Sequence, residues 1–282
     1  MEAVNTAIRT RMQSEHAPRI PELSAHLIEA GGKRLRPVLT LAAAKMFDYG
    51  GDHQIRLAAA VEFIHTATLL HDDVVDMSTL RRGRPTVNAE WNNPSSVLVG
   101  DFLYTRAFQL MVTIGNMDIL ELMAGTTNRI AEGEVLQLEL AGNPNCSEQD
   151  YYRVIEKKTA ILFAAATQGA AIISGAGEDI IEAARQYGLH LGMAFQLVDD
   201  VLDYEGEADT MGKNVGDDLA EGKVTLPLIA AMRNANEDDG EFIRTAIRKG
   251  GVENLPQMIE LVNSTGALEY TAGIAKQEQC HA

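Results

Sequence analysis

Apolar residues along the chain recur mostly three and four positions apart, the spacing of helices that bury one face. Five long stretches with this period are predicted helices: 55–76, 97–114, 119–140, 148–174 and 178–204. Several stretches, such as 161–173, are apolar on nearly every side, which favours burial among other helices. Neither alternating strand patterns nor a Gly-, Pro- or Ser-rich linker interrupts the series. We therefore predict an all-α fold, a single large helical bundle with one domain spanning residues 1–282.

Composition narrows the class of protein. The chain has 282 residues, 46% of them apolar, so it can bury a large core. Asp and Glu number 40 against 24 Lys and Arg, and the net charge of −16 disfavours nucleic-acid binding. The two cysteines, Cys146 and Cys280, form neither a disulfide framework nor a zinc-site spacing. With no apolar N-terminal signal and no uncharged apolar window of membrane length, a cytoplasmic protein without a transmembrane segment is expected.

Two acidic clusters share one spacing. Asp72-Asp73-x-x-Asp76 and Asp199-Asp200-x-x-Asp203 each place their first and last carboxylates four residues apart, on one helix face. Each cluster lies near the C-terminal end of a predicted helix, where the helix dipole disfavours negative charge. A merely solvated acidic helix end would explain one such cluster, but two with the same apolar approach indicate a bound cation.

The donor atoms indicate which cation. Carboxylate oxygens suit Mg²⁺, which proteins usually hold with one or two carboxylates and the phosphates of a substrate. If the two carboxylate faces point at each other, they could hold more than one Mg²⁺ with a diphosphate between them. Mn²⁺ is the alternative metal.

Basic residues accompany the acidic clusters in this otherwise acidic chain. They lie in Gly-Gly-Lys-Arg-Leu-Arg-Pro at 31–37, in Arg-Arg-Gly-Arg-Pro at 81–85, at Lys157 and Lys158, and at Lys213 and Lys223. Arg suits bidentate contacts to phosphate, and Lys acts as a point charge. His65 lies seven residues before Asp72 on roughly the same helix face, so it joins this group. Any one of these groups alone could equally be a solvated surface patch.

Six motifs together resemble those of the trans-isoprenyl diphosphate synthases, most closely the long-chain bacterial type, over about residues 31–266. In chain order they are GGKRLRP, LLHDDVVD followed by RRGRPT, GEVLQL, EKKTA, FQLVDDVLD and GKNVGDDLAEGKVTLP. The resemblance implies the isoprenoid synthase fold, with an active site in a deep central cavity and usually a homodimer. It also implies condensation of isopentenyl diphosphate with an allylic diphosphate, head to tail.

The resemblance also implies roles, residue by residue. Asp72, Asp76 and Asp199 would bind Mg²⁺, supported by Asp73, Asp200 and Asp203, and Asp218 would contact Mg²⁺ through water. Isopentenyl diphosphate would be held by Lys33, Arg36, His65 and Arg82. The allylic diphosphate would be held by Arg81, Lys158, Lys213 and Lys223. Thr159 and Gln196 would lie beside the reacting carbons. In this scheme the metals and cations stabilise charge on the departing diphosphate, which then takes the proton released after carbon–carbon bond formation.

Product length should depend on the helix that leads into the first cluster. Short-chain members of the family tend to carry an aromatic residue just before that cluster, whereas this chain has Ala67 and Thr68. We therefore expect a long product, about C40 to C50 by this resemblance, for a quinone side chain. Bulk deeper in the tunnel, at Met111 or Met123, would stop elongation, although both residues also suit an ordinary core.

Other functions remain as alternatives. A shorter-chain (farnesyl or geranylgeranyl) synthase would keep the chemistry but not the product length. A non-catalytic subunit of a heteromeric synthase would typically lack the Asp clusters that this chain keeps. His71-Asp72 also matches the His-Asp pair of a metal phosphohydrolase, which would leave the second cluster unexplained. Because members of the family usually continue past the position of Ala282, a truncated form or a natural variant is expected.

Overall fold

The computed structural model describes residues 1–29, 31–205, 216–250 and 255–282, apart from the side chains of Leu27, Ile28, Glu29 and Asp217. Its helices are α1 (Glu2–Arg11), α2 (Arg19–Glu29), α3 (Leu35–Met46), α4 (His53–Val75), α5 (Val87–Glu90), α6 (Asn93–Ile114), α7 (Met117–Leu140), α8 (Glu148–Ile155), a π-helix (Glu156–Ala160), α9 (Ile161–Ile173), α10 (Glu178–Glu205), α11 (Asp217–Ala220), α12 (Leu226–Asn234), α13 (Glu237–Lys249), α14 (Leu255–Ser264) and α15 (Ala267–His281). The all-α prediction is confirmed.

Four of the five predicted helices agree with the observed ones to within four residues at each end. The start of α6 was placed too late: Asn92 accepts a hydrogen bond from the Ser95 backbone N–H at 2.9 Å, which caps the helix before the apolar stretch begins. The fifth stretch, 148–174, is divided. A five-residue π-helix, Glu156–Ala160, separates α8 from α9 and contains Lys157, Lys158 and Thr159.

The loop predicted at 81–85 contains a small hairpin. Strands β1 (Leu80–Arg81) and β2 (Arg84–Pro85) pair antiparallel. Arg82 and Gly83 form the two-residue turn, with φ of 54° and 72°. Positive φ at both turn residues matches the twist of a tight hairpin, but it is uncommon for arginine. The hairpin thus fixes the backbone on either side of Arg82.

The described residues divide into two compact units. The first comprises 1–127 and 162–188, and the second 128–161 and 189–282. In the first unit, α4 packs along α6 and against α3 and α1. From Leu57 to Ile64 every side chain of α4 is buried, which identifies it as the central helix of this unit.

The second unit has its own core, formed by one apolar cluster. It contains Tyr151 and Ile155 of α8, Leu197 and Val201 of α10, and buried residues of α12 to α15. The part of α10 that carries Asp199 therefore rests on a packed core through its neighbouring positions. That residues 1–282 form one domain stays a prediction.

One helix among the described residues, α6, is long and apolar enough to cross a membrane by length and composition. The core helix of a protein in water would meet the same criteria. Helix α6 carries Asp101 and Arg106, and Val99, Leu103 and Leu110 on one side of it are buried. These features suit a helix packed along α4, and the expectation that the chain lacks a transmembrane segment stays a prediction.

Candidate active site

The first acidic cluster lies at the end of α4, within the first unit. Asp72 is in the last turn and Asp76 caps the helix, and both side chains are half-buried. With His65 and Thr68 they form one half-buried stripe, spaced three, four and four residues apart. The predicted alignment of His65 with the cluster is thus present. The stripe offers carboxylate oxygens, the donor type that Mg²⁺ prefers.

The middle carboxylate of this cluster has different surroundings. Asp73 is 1% exposed, and its Oδ1 accepts hydrogen bonds from Arg81 Nε and Nη2, both at 2.7 Å. Burial raises the pKa of the Asp73 carboxyl more than Arg81 lowers it, and neighbouring Asp72 and Asp76 raise it further. Arg81, predicted to hold diphosphate, therefore packs beside the cluster with its guanidinium bonded to Asp73.

Four arginines and a histidine lie close together before and after this cluster. Burial raises the pKa of Glu62, which is 5% exposed and forms an ion pair with Arg34. Burial lowers the pKa of Arg36 to about 10. His65 has its pKa held well below the usual value by burial and by four arginines: Arg34, Arg36, Arg81 and Arg82. This concentration of cations is suited to a multiply charged anion.

The structure explains why the first basic motif begins with two glycines. Gly31 and Gly32 have φ of 91° and 142°, which other residues rarely adopt. Arg82 donates a hydrogen bond to the Gly31 carbonyl, and a Cβ on Gly32 would lie 2.9 Å from Arg82 Nη1. Glycine thus allows the hairpin arginine to lie against the loop that carries Lys33, whose own side chain is exposed.

The two residues assigned to chain length differ in exposure. Ala67 is fully buried, whereas Thr68 is half-buried on the stripe that includes Asp72. The Thr68 hydroxyl donates to the His65 carbonyl at 2.8 Å. Of the two side chains, that of Thr68 therefore lies on the same stripe as the carboxylates, and the chain-length role of both residues stays a prediction. Met111 and Met123 are fully buried core residues.

His71 is turned towards α6. Its Nε2 lies 3.2 Å from the Val97 carbonyl and 3.3 Å from Asp101 Oδ1. A Cβ on Gly100 would come within 2.4 Å of that nitrogen, so glycine makes room for the ring. A metal phosphohydrolase would need His71 and Asp72 to ligate the same ion, and this arrangement does not favour it.

The second acidic cluster lies in the last two turns of α10, within the second unit. Asp199 is half-buried, whereas Asp200 is 1% exposed and Asp203 is fully buried. Burial, followed by Asp218, raises the pKa of Asp200 well above its usual value. As in the first cluster, the carboxylate in the middle is enclosed by protein.

A chain of hydrogen bonds ends on Asp200. The Thr159 hydroxyl donates to Gln196 Oε1 at 2.9 Å, and Gln196 Nε2 donates to Asp200 Oδ1 at 2.8 Å. The Tyr151 hydroxyl donates to Asp200 Oδ2 at 2.6 Å. Thr159 and Gln196, each predicted to lie beside the reacting carbons, are in direct contact with one another. The chain joins the π-helix to the second acidic cluster.

The π-helix lies against two glycines on neighbouring helices. A Cβ on Gly133 of α7 would lie 2.8 Å from the Lys158 backbone nitrogen, and one on Gly192 of α10 would lie 2.6 Å from Ala160 Cα. The acids on either side of Gly133 pair with the lysines, Glu132 with Lys157 at 2.5 Å and Glu134 with Lys158 at 2.7 Å. π-helical turns are rare and often occur at functional sites. Here one holds Lys158 and Thr159 in place.

Two further predicted residues follow α10. Lys223 pairs with Glu221, and its backbone N–H donates to the Asp218 carbonyl at 2.8 Å. Asp218 is close enough to Asp200, Tyr151 and Tyr204 to raise the pKa of each. Lys213 lies outside the described residues.

Sequence reasoning missed three residues of these sites: Tyr151, Glu62 and Glu134. The role of each comes from a partner at least 24 residues away. Two of them had a signal in the sequence: Glu134 lies inside the GEVLQL motif, and Glu62 is the single charged residue of the apolar stretch 57–64.

Comparison with known proteins identifies the family. The Polyprenyl synthetase family model matches residues 17–262. The chain belongs to the polyprenyl synthetase family. It is 48% identical over 279 residues to octaprenyl diphosphate synthase of Escherichia coli strain K12, covering 99% of this chain and 86% of that protein.

Solved structures agree. A decaprenyl diphosphate synthase from Rhodobacter capsulatus superposes with a TM-score of 0.94 at 55% identity, covering all of this chain and 87% of that one. A polyprenyl synthase from Caulobacter crescentus CB15, complexed with calcium and isoprenyl diphosphate, superposes at 0.96 with 50% identity, covering 100% of this chain and 86% of that one. The isoprenoid synthase fold expected from the motifs is thereby confirmed.

Proposed function

We propose that the protein is a long-chain all-trans polyprenyl diphosphate synthase, which adds isopentenyl diphosphate head to tail to an allylic diphosphate and needs Mg²⁺. One observation carries the proposal. In the first unit, the half-buried carboxylates of Asp72 and Asp76 share a stripe with His65, and four arginines surround that histidine. Metal ligands beside a concentrated positive charge suit a substrate that carries a diphosphate.

Mg²⁺ fits the donors that this chain provides. Asp72, Asp76 and Asp199 are the half-buried carboxylates of the two clusters, and an all-oxygen donor set suits this hard cation. Asp72 and Asp76 would bind Mg²⁺ in the first unit and Asp199 would bind it in the second, and Mn²⁺ would be an alternative. When bound, the metal would neutralise charge on the diphosphate and make it a better leaving group.

The residues of the chain have distinct tasks in the reaction. Arg81, Lys158, Lys213 and Lys223 bind the allylic diphosphate, while Lys33, Arg36, His65 and Arg82 bind isopentenyl diphosphate. Burial and the neighbouring arginines hold the pKa of His65 well below its usual value, so the imidazole that meets the substrate is neutral and can donate a hydrogen bond. Thr159 and Gln196 orient one another beside the reacting carbons. As the allylic C–O bond breaks, the arginines and lysines stabilise the diphosphate, and the double bond of isopentenyl diphosphate attacks the cation. The released diphosphate accepts the proton.

Product length and cellular context extend this proposal. Between Ile64 and Asp72 the chain carries no Phe or Tyr, which supports a product of about C40 to C50. The relatives named as octaprenyl and decaprenyl diphosphate synthases are consistent with it. We propose farnesyl diphosphate as the primer, a homodimer in the cytoplasm, and a quinone side chain as the use of the product.

A product assay tests the proposal. Purified protein is given farnesyl diphosphate, labelled isopentenyl diphosphate and Mg²⁺, and the dephosphorylated products are sized by chromatography. A ladder ending near C40 to C50 is expected. Asp72→Asn should reduce turnover by about 100-fold or more, as loss of a transition-state charge contact does. Glu121→Gln, at an exposed acid of α7, is the matched control and should leave turnover unchanged.

Two other outcomes would contradict parts of the proposal. A ladder that stops at C15 to C20 would keep the reaction but overturn the long product. No elongation by correctly folded protein would favour a non-catalytic subunit of a heteromeric synthase.

A further inference from the structure

A cluster of metal-binding side chains lies away from both acidic clusters in sequence, inside the second unit. His190 of α10 and Glu278 and His281 of α15 each offer one ligand atom, and the three atoms lie within 4.8 Å of one another. His190 Nδ1 is 2.6 Å from Glu278 Oε2, and the rings of His190 and His281 are 5.4 Å apart between centroids. We propose that this cluster is a site for Zn²⁺ or a similar transition metal.

The ligand chemistry selects the class of metal. Two imidazoles and one carboxylate form a set that binds Zn²⁺ and leaves a fourth position for water. Imidazole nitrogen suits Zn²⁺, Ni²⁺ and Cu²⁺, whereas Mg²⁺ and Ca²⁺ prefer oxygen donors throughout. The site would therefore bind a different metal from the one that the reaction needs.

The backbone positions two of the ligands in advance. Leu268, Thr271 and Ala275 of α15 are buried on one helix face, and Glu278 continues that face by one turn. His281 follows Glu278 by three residues, so the two side chains are neighbours on the helix. Ligands on a packed helix lose little freedom on binding a metal.

Metal binding needs two local adjustments. Zn²⁺ binds nitrogen and oxygen at about 2.0–2.2 Å, so tetrahedral ligand atoms lie about 3.3–3.6 Å apart. His190 Nδ1 and Glu278 Oε2, which are 2.6 Å apart, would separate as the metal replaces the proton between them. His281 is exposed and would rotate towards them, whereas the side chains of His190 and Glu278 are only 28% and 21% exposed. A bound metal would then join α15 to the part of α10 that carries Asp199.

Metal titration tests the proposal directly. The full chain, without a histidine tag, is freed of metal and titrated with Zn²⁺ against a chromophoric chelator, with excess Mg²⁺ present to occupy the carboxylate clusters. One equivalent should bind. Glu278→Gln and His281→Ala should each weaken binding by at least about tenfold, because even outer-shell partners of metal ligands contribute that much.

Two matched controls separate this site from other binding. His16→Ala removes an exposed histidine that follows Glu15 in the first unit and should leave the affinity unchanged. Cys280→Ser removes the exposed thiol next to His281 and should do the same. With Co²⁺ in place of Zn²⁺, the visible absorption of a four-coordinate site should appear in wild type and be absent in His190→Asn.

Three results would overturn the proposal. They are the absence of Zn²⁺ binding in excess Mg²⁺, equal affinity in wild type and the Glu278 and His281 variants, and loss of binding in Cys280→Ser with retention in His281→Ala.

Zn²⁺ should also raise the melting temperature of wild type and not of Glu278→Gln, since a ligand that binds only folded protein stabilises it. Circular dichroism of the metal-free variants is the check that they are folded.

Discussion

At the scale of single residues, the middle carboxylate of each acidic cluster is enclosed and hydrogen-bonded, Asp73 by Arg81 and Asp200 by Tyr151 and Gln196. The residue just before each of them, Asp72 before Asp73 and Asp199 before Asp200, is half-buried. We interpret the middle residues as groups that position their clusters and the first residues as metal ligands. A buried carboxylate needs such hydrogen bonds because it has lost its water.

Tyr151→Phe tests this interpretation at the second cluster. The variant keeps the ring in the core but leaves the buried Asp200 Oδ2 without its donor from Tyr151, so turnover should fall about tenfold or more. A positioning role also predicts that more Mg²⁺ is needed for half-maximal turnover. Steady-state rates measured across a Mg²⁺ series provide both values.

Tyr152→Phe is the matched control, because it removes a hydroxyl from the neighbouring, half-buried tyrosine. It should leave the Mg²⁺ dependence unchanged. An identical response of the two variants would show that Tyr151 only fills space.

Thr68→Phe tests the path of the product. The side chain lies on the half-buried stripe, four residues before Asp72, so an aromatic ring should block elongation and shorten the main product by several isoprene units. Ala67 is fully buried, so Ala67→Phe should instead overpack the core and lower stability by about 1–3 kcal/mol. Product chromatography and thermal unfolding separate the two effects. Full-length product from a folded Thr68→Phe variant would exclude Thr68 from the path.

Sequence patterns predicted some of these residues and not others. Asp72, Asp76 and Asp199 are predicted as metal ligands because like charges at one spacing, at the end of an apolar helix, need a cation, and that role stays a prediction. The pairings of Glu62 and Tyr151 could not be predicted, since nothing near them in sequence marks Arg34 or Asp200 as partners. For the same reason, the sequence did not indicate that the middle aspartates, Asp73 and Asp200, point into the protein.

At the scale of elements, the π-helix and its two glycine contacts form one packing arrangement. Period alone predicted a continuous helix over 148–174, because five residues of different hydrogen bonding barely change the order of apolar positions. The hairpin at 80–85 was missed because only Gly83 indicated a turn, and arginine at 82 is an uncommon residue for positive φ.

Gly133→Ala tests the glycine contact. A Cβ 2.8 Å from the Lys158 nitrogen must displace the π-helix or α7, so stability should fall by about 1–3 kcal/mol and turnover should fall with it. Gly125→Ala, on the same helix with nothing within 4 Å of its Cβ, is the matched control and should gain up to about 1 kcal/mol. Urea unfolding and turnover are the measurements. A stabilised Gly133→Ala variant with full activity would contradict the close packing.

At the scale of the whole molecule, the buried carboxylates of the acidic clusters lower the stability of the metal-free protein. The folded chain raises the pKa of Asp200 above its ordinary 3.8. A carboxyl with a raised folded pKa favours folding only while it is protonated. Its contribution is complete below about pH 3.8 and is lost as pH rises through the raised value. At pH values above the raised pKa, the ionised carboxylate thus opposes folding in the absence of metal.

Asp200→Asn should therefore gain stability relative to wild type as pH rises. The difference in melting temperature, variant minus wild type, should increase from mildly acidic to neutral pH without divalent metal. Added Mg²⁺ should stabilise wild type more than the variant, because it offsets the charge. Differential scanning calorimetry at both pH values, with and without Mg²⁺, measures this. A difference that stays constant with pH would show that Asp200 titrates as an ordinary exposed acid.

The π-helix also bears on how this part of the chain tolerates insertion and deletion. A π-helical turn holds its residues as if one extra residue had been inserted into an α-helix. Deleting one residue within Glu156–Ala160 would restore a continuous α-helix and leave the faces of α8 and α9 in nearly their present directions. Tyr151 would still face Asp200, but the widened turn that holds Lys158 and Thr159 would be gone. A lost codon here should therefore spare the fold of this segment and remove the local geometry on which its two polar side chains depend.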